Sequence, residues 1–177
     1  MKPLTTPIVN PEVEHYAEAH TTPECDALAA LDRWAHLHTA HPHMVAGPYQ
    51  GRLLEMIARM VNPHRAIEIG SFVGYSTICL AHALAPGGML HAIEAEEEYE
   101  DVIRRALASA DVSQRVTLHL GPALEVLPRI EGPFDLAFID ADKRSNQAYF
   151  DLLVPRMRPG GWILVDNVLW GGKVLHP

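Results

Sequence analysis

The sequence has 177 residues, with 14 Lys and Arg against 22 Asp and Glu for a formal net charge of −8, and it is 48% hydrophobic and 20% charged. That length suits one domain with its own core, and the composition excludes disordered, collagen-like and coiled-coil classes. The acidity argues against a nucleic-acid coat, which neutralises phosphates with Lys and Arg; no apolar run approaches the ~20 residues of a membrane span, and two cysteines, Cys25 and Cys79, cannot build a disulfide framework.

The N-terminus lacks the apolar stretch of a secretory signal, so a reducing cytoplasm with free thiols is the expected setting. Residues 1–64 read as helical, with segments over 12–19, 24–38 and 49–61 that form a cap over the open end of a sheet. Between the last two, His36, His38, His41 and His43 imitate a metal tract. Their i,i+2 spacing faces them apart on a helix and Pro42 interrupts the run, so they read as surface or interface histidines, ahead of a zinc site.

From residue 65 short apolar runs alternate with amphipathic ones. Strands are predicted over 66–69, 89–93, 116–120, 134–139 and 162–165, and helices over 75–84, 96–107, 123–127 and 146–157. This alternation is the signature of an α/β fold with a doubly wound, mostly parallel sheet, here one domain with its core over 65–177. Gly87-Gly88 and Pro159-Gly160-Gly161 mark helix-to-strand turns. Six acids crowd residues 94–101. Most of them suit a helix start, where the macrodipole favours negative charge, with Glu100/Arg104 and Asp101/Arg105 at pairing distance. Trp34, Trp162 and Trp170 read as core or site-wall aromatics, with Trp170 near a substrate pocket.

The strongest local feature is Glu68-Ile69-Gly70-Ser71-Phe72-Val73-Gly74-Tyr75-Ser76, a glycine turn between the first strand and its helix. Glycines there admit a ligand close to the backbone, and the helix start presents unpaired N–H groups. The spacing is G-x-x-x-G, not the G-x-G-x-x-G of dinucleotide folds. Glu94 ends the second strand 24 residues after Gly70, where such folds place a carboxylate on ribose hydroxyls; its competing reading is the start of the acidic helix. Asp140 follows the fourth strand, and Asp166 with Asn167 follows the fifth. If these strands are neighbours, ~4.8 Å apart, the three side chains converge as hard oxygen donors suited to Mg²⁺ or Ca²⁺; either pair alone reads more simply as a turn or cap.

These motifs, M-V-A-G-P-Y-Q-G, E-I-G-S-F-V-G-Y-S, F-I-D-A-D-K and V-D-N-V-L-W-G-G in that order, resemble the cation-dependent, S-adenosylmethionine (SAM)-dependent O-methyltransferases that include catechol and caffeoyl-CoA O-methyltransferases. The resemblance implies a Rossmann-like methyltransferase domain with SAM over Gly70 and Gly74, Glu68 in the same motif, Ser76 at the methionine end, and Glu94 on the ribose. Met44 and Phe72 then lie near the sulfonium. It further implies Asp140, Asp166 and Asn167 as ligands of Mg²⁺ or another divalent cation, with Asp140 also beside the cofactor, Lys143 as general base, and a homodimer. Ala123, Leu124 and Ala141 imply an adenine pocket more apolar than that of the animal catechol enzymes. Relatives continue past the last motif with further strands, so the sequence is expected to cover part of a longer chain.

The expected activity is metal-assisted methyl transfer to a hydroxyl of a small catechol-like phenol. Methylation of a hydroxylated RNA base is an alternative that the even, net-negative charge counts against. A non-catalytic cofactor-binding module is another, and a nicotinamide dehydrogenase is disfavoured by the missing third glycine.

Overall fold

The computed structural model describes residues 9–169, 172 and 174. Three helices come first. In α1 (Pro11–Ala19) the Asn10 side chain accepts from the Glu12 N–H at 2.9 Å, proline occupies the first turn, and Glu12 and Glu14 complement the helix dipole. No residue of α1 is buried, so it rides on the surface. The next helix, α2 (Asp26–His38), buries Leu28, Leu31 and Ala35 on one apolar face, and α3 (Gly47–Val61) buries Gly51, Leu54 and Ala58 together with Glu55, whose carboxylate pairs with Arg52 and Arg59. Gly51 is a contact glycine: a Cβ there would stand 2.8 Å from the Tyr75 ring and 2.9 Å from Cys79 Sγ, so a larger residue would push α3 off its neighbour.

Five strands follow: β1 (Arg65–Ile69), β2 (Met89–Glu94), β3 (Val116–Leu120), β4 (Phe134–Ile139) and β5 (Met157–Val165). Every pairing is parallel and the order is β3-β2-β1-β4-β5. The helices between them are α4 (Tyr75–His82), α5 (Glu100–Ser109), α6 (Ala123–Val126) and α7 (Asn146–Leu153). Side chains alternate across the sheet into two cores. Leu90, Leu136 and Phe138 meet Leu54, Ile78 and Ile103 on one face, while Ile67, Ile69, Ile93 and Ile139 meet Leu127, Tyr149 and Leu153 on the other. The order reverses direction between β1 and β4, which opens a crevice beyond their carboxyl ends.

Two boundaries differ from the sequence reading. The helix predicted over 146–157 stops at Leu153, because Pro155 allows only a short 3₁₀ turn over Val154–Arg156. The predicted turn Pro159-Gly160-Gly161 instead lies within β5. Phe134 pairs with Met157 and Leu136 with Trp162, so the extra residues bulge out of register, with Gly160 at φ +79°. Proline and a bulge are tolerated because β5 is an edge strand among those described. For the same reason Trp162 is not a core aromatic; it is 53% exposed. Trp34 is half-buried and stacks on His38, and Trp170 lies outside the described residues. Of the two anticipated charge pairs on α5, Glu100 and Arg104 meet at 2.7 Å. No helix among the described residues is long and apolar enough to cross a membrane.

The sheet carries a half-buried histidine pair on β2 and β3. His91 Nδ1 and His119 Nε2 share a hydrogen bond of 3.0 Å, while His91 Nε2 is buried without a partner. Burial, then the charge of His119 and of Arg65, pushes the His91 pKa down to about 4. A histidine whose folded pKa lies below its unfolded value near 6.5 contributes stability that is present above pH 6.5 and drains away as pH falls toward 4, since the unfolded chain binds the proton first. His91→Phe, which removes the buried Nε2 and keeps a ring beside Phe134, is expected to flatten the denaturation midpoint over that interval. An unchanged slope in urea titrations from pH 7 to pH 4 would assign the loss to other groups.

Candidate active site

One cavity of about 1100 Å³ opens beyond the carboxyl ends of β1, β4 and β5. Its floor is the glycine turn. Gly70 follows β1 at φ +92°, and a Cβ there would stand 2.7 Å from the Asp140 carbonyl oxygen and 2.9 Å from the Ala141 Cα. Gly74 caps α4 in the left-handed region at φ +96° and offers no side chain to the first N–H groups of the helix. Those amides therefore remain free for an anionic group, and Ser76 lines the cavity beside them.

Glu94 organises this floor. Its Oε2 accepts the N–H of Ser71 at 3.1 Å and of Phe72 at 2.5 Å, and its Oε1 accepts the N–H of Glu96 at 3.0 Å. Burial raises the Glu94 pKa, and the backbone hydrogen bonds from Glu96, Phe72, Ala95 and Ser71 counteract that rise. Phe72 is held at φ +49°, a setting uncommon for a non-glycine residue, with its ring edge-on to Tyr99 at 4.9 Å. Glu94 thus fixes a strained turn as well as facing the cavity. Glu94→Ala, by leaving two turn amides unpaired, is expected to cost about 2 kcal/mol in stability and to remove binding of the cavity's ligand; a variant with wild-type urea midpoint contradicts the bracing role.

Glu68 and Gly74 are absent from the cavity wall, whereas Met44, Gly70, Phe72, Ser76, Glu94 and Asp140 form part of it. Glu68 is fully buried beneath the turn, where its Oε2 accepts from Thr77 Oγ1 at 2.5 Å and Ser71 Oγ at 3.3 Å. Its Oε1 has no partner. Burial drives its pKa up to about 7, with Ser76, Thr77 and Ser71 working against the rise and Asp140 adding to it.

The opposite wall is the edge formed by β4 and β5. Ile139 pairs with Val165, so Asp140 and Asp166 emerge side by side, followed by Asn167 at φ +53°. Lys143 Nζ donates to Asp140 Oδ1 at 2.5 Å. Burial raises the Asp140 pKa, Lys143 lowers it, and the neighbouring Asp166 charge raises it again. Asp166 Oδ2 accepts from Gln50 Nε2 at 2.6 Å. Lys143, Asp166 and Asn167 all line the cavity.

Two carboxylates and an amide carbonyl at one edge are hard oxygen donors, and their chemistry fits a divalent cation of the Mg²⁺ kind. Among the described residues no group of three or more His, Cys, Asp or Glu is arranged to hold a metal; the third oxygen donor at this edge is the Asn167 amide, which lines the cavity.

Residues 17–177 match a family model described as O-methyltransferase. The chain belongs to this O-methyltransferase family. It is 41% identical over 150 residues to a catechol O-methyltransferase of Mycobacterium tuberculosis, covering 84% of this chain and 66% of that relative's length. The O-methyltransferase TomG of Streptomyces achromogenes, solved in complex with SAM and described as involved in tomaymycin synthesis, superposes with a TM-score of 0.87 at 36% identity, over 94% of this chain and 76% of the other. An O-methyltransferase of Bacillus cereus in complex with SAH (S-adenosylhomocysteine) superposes with a TM-score of 0.84 at 34% identity, over 93% and 76% of the two chains.

In this O-methyltransferase several wall residues escaped the sequence reading. All four histidines of the run are exposed, as the sequence reading expects, but His41 and His43 also border the cavity, edge-on at 5.7 Å. Tyr99 joins the wall from the acidic segment. Tyr149 donates to Asp142 Oδ2 at 2.8 Å, and Asp142 Oδ1 accepts the Ser145 N–H at 3.0 Å, which braces the turn that carries Lys143. Burial, then the Asp142 carboxylate, pushes the Tyr149 pKa up to about 12, so its hydroxyl stays a donor.

Proposed function

We propose that the chain transfers the methyl group of SAM to one hydroxyl of a small catechol-like phenol, with a divalent cation such as Mg²⁺ held by Asp140, Asp166 and Asn167. The observation that carries this reading is that the glycine turn braced by Glu94 and the edge bearing Asp140, Lys143, Asp166 and Asn167 open into the same cavity. The SAM and SAH in the two solved relatives, and the catechol O-methyltransferase of Mycobacterium tuberculosis, support it.

In this reading Glu94 takes the ribose hydroxyls, while Ser76 and the first amides of α4 take the methionine end. Ala123, Leu124 and Tyr99 give the adenine an apolar wall, and Met44 and Phe72 close near the sulfonium. A bound divalent cation supplies Lewis acidity and a template for two vicinal oxygens. In this reading Nζ of Lys143 is the acceptor of the phenol proton. The phenol oxygen then forms its bond to the methyl carbon as the carbon–sulfur bond breaks, and that electron pair stays on sulfur to leave SAH. The lysine keeps the proton, and Asp140 Oδ1, 2.5 Å away, holds the resulting ammonium. Orientation of the two reactants in one cavity supplies much of the rate. The protein acts as a homodimer in the cytoplasm in this reading.

Labelled methyl transfer from SAM across a panel of catechols, before and after thorough chelation, tests the proposal. Turnover on at least one vicinal diol, lost on chelation and restored by Mg²⁺, is expected. Turnover that survives chelation overturns the cation's role, and no transfer to any diol overturns the acceptor class.

A further inference from the structure

Gln50 lies in the first turns of α3, on the N-terminal cap, yet its side chain reaches the far edge of the sheet. Its Nε2 donates to Asp166 Oδ2 at 2.6 Å across 116 residues of sequence. The other oxygen, Asp166 Oδ1, accepts the Asn167 N–H at 2.5 Å. Both oxygens of this carboxylate therefore have a fixed direction. No Lys or Arg among the described residues pairs with Asp166, so the neutral amide is the side chain that restrains it. This differs from Asp140, which meets the Lys143 ammonium. An amide donor orients a carboxylate without neutralising it, so the negative charge stays available to a cation. A hydrogen bond to an ionised acceptor is also about twice as strong as one between neutral groups.

We propose that Gln50 is a positioning residue, which holds the Asp166 carboxylate in the orientation that receives the divalent cation and thereby sets the affinity for that cation. The inference rests on the cation reading above. It also gives the cap a part in the chemistry, because α3 follows directly on the segment carrying His41, His43 and Met44 along the cavity wall. Partners that orient metal ligands by hydrogen bonding contribute about 10- to 100-fold to metal affinity. A bond that merely ties α3 to β5 would contribute to stability alone.

Gln50→Met separates these roles, since methionine keeps the length and helix propensity of glutamine and removes the donor. Three quantities are measured on wild type and variant: Mn²⁺ affinity by electron paramagnetic resonance at saturating SAH, SAH affinity by calorimetry in chelator, and the thermal midpoint. The expected result is Mn²⁺ binding weakened about tenfold or more, with SAH affinity in chelator within about twofold of wild type. Equal Mn²⁺ affinity in both proteins, even with a lowered midpoint, overturns the inference and leaves the cation reading standing. Parallel losses of SAH and Mn²⁺ affinity also overturn it, because they report a displaced cap. A wild-type chain that binds SAH and no Mn²⁺ overturns the cation reading and the inference with it.

Discussion

Replacing Lys143 by methionine is expected to lower methyl transfer about 10²- to 10⁴-fold, the usual contribution of a positioned general base, while SAH binds as before. The second substitution makes the result specific. Lys143→Arg keeps a cation within reach of Asp140 Oδ1, where Lys143 Nζ stands at 2.5 Å, but a guanidinium stays protonated in proteins and cannot take the phenol proton. If Lys143 only neutralised Asp140, arginine would restore most of the rate. If it moves the proton, the arginine variant stays as slow as the methionine variant. Single-turnover rates at saturating SAM distinguish the two, and an arginine variant near wild-type speed contradicts the base role.

Gly70→Ala is the second large effect. The residue sits at φ +92°, and its added methyl would meet the Asp140 carbonyl oxygen at 2.7 Å, the Asp140 carbonyl carbon at 2.8 Å and the Ala141 Cα at 2.9 Å. All three are backbone atoms, so no rotamer change relieves the clash. The carboxyl ends of β1 and β4 must separate, and the cavity begins between them. Backbone strain and overpacking together cost about 3 kcal/mol, and SAH binding is expected to be lost. Gly74→Ala is the control: it has the same strained φ, but the nearest atom is Ile103 Cγ2 at 3.4 Å. The smaller cost there is about 1–2 kcal/mol. Equal urea midpoints for the two variants contradict the steric argument.

Much of this site was legible in the chain because its signals are local. A glycine turn between an apolar run and a helix is read from adjacent residues, and strand ends locate Glu94, Asp140, Asp166 and Asn167 once the alternation of elements is seen. What escaped depends on contacts across the sequence. The partnership of Gln50 with Asp166 needs α3 laid against the end of β5, and nothing in the spacing of M-V-A-G-P-Y-Q-G encodes it. The histidine run reads correctly as exposed from its spacing and Pro42, but that Pro42 starts a 3₁₀ turn where His41 and His43 meet beside the cavity takes the folded chain to see. Glu68 belongs to the right motif on the wrong side of the wall: the turn folds over it, and its hydrogen bonds go to Ser71 and Thr77. In β5 the proline and glycines read locally as a turn, although an edge strand absorbs them as a bulge.

Calorimetric titration with SAH tests most directly whether the braced glycine turn is a cofactor site. Wild type is expected to bind one SAH per chain and Glu94→Ala none, with no heat from NAD in either protein. A wild-type chain silent to SAH, or one that binds NAD instead, contradicts the assignment of this cavity.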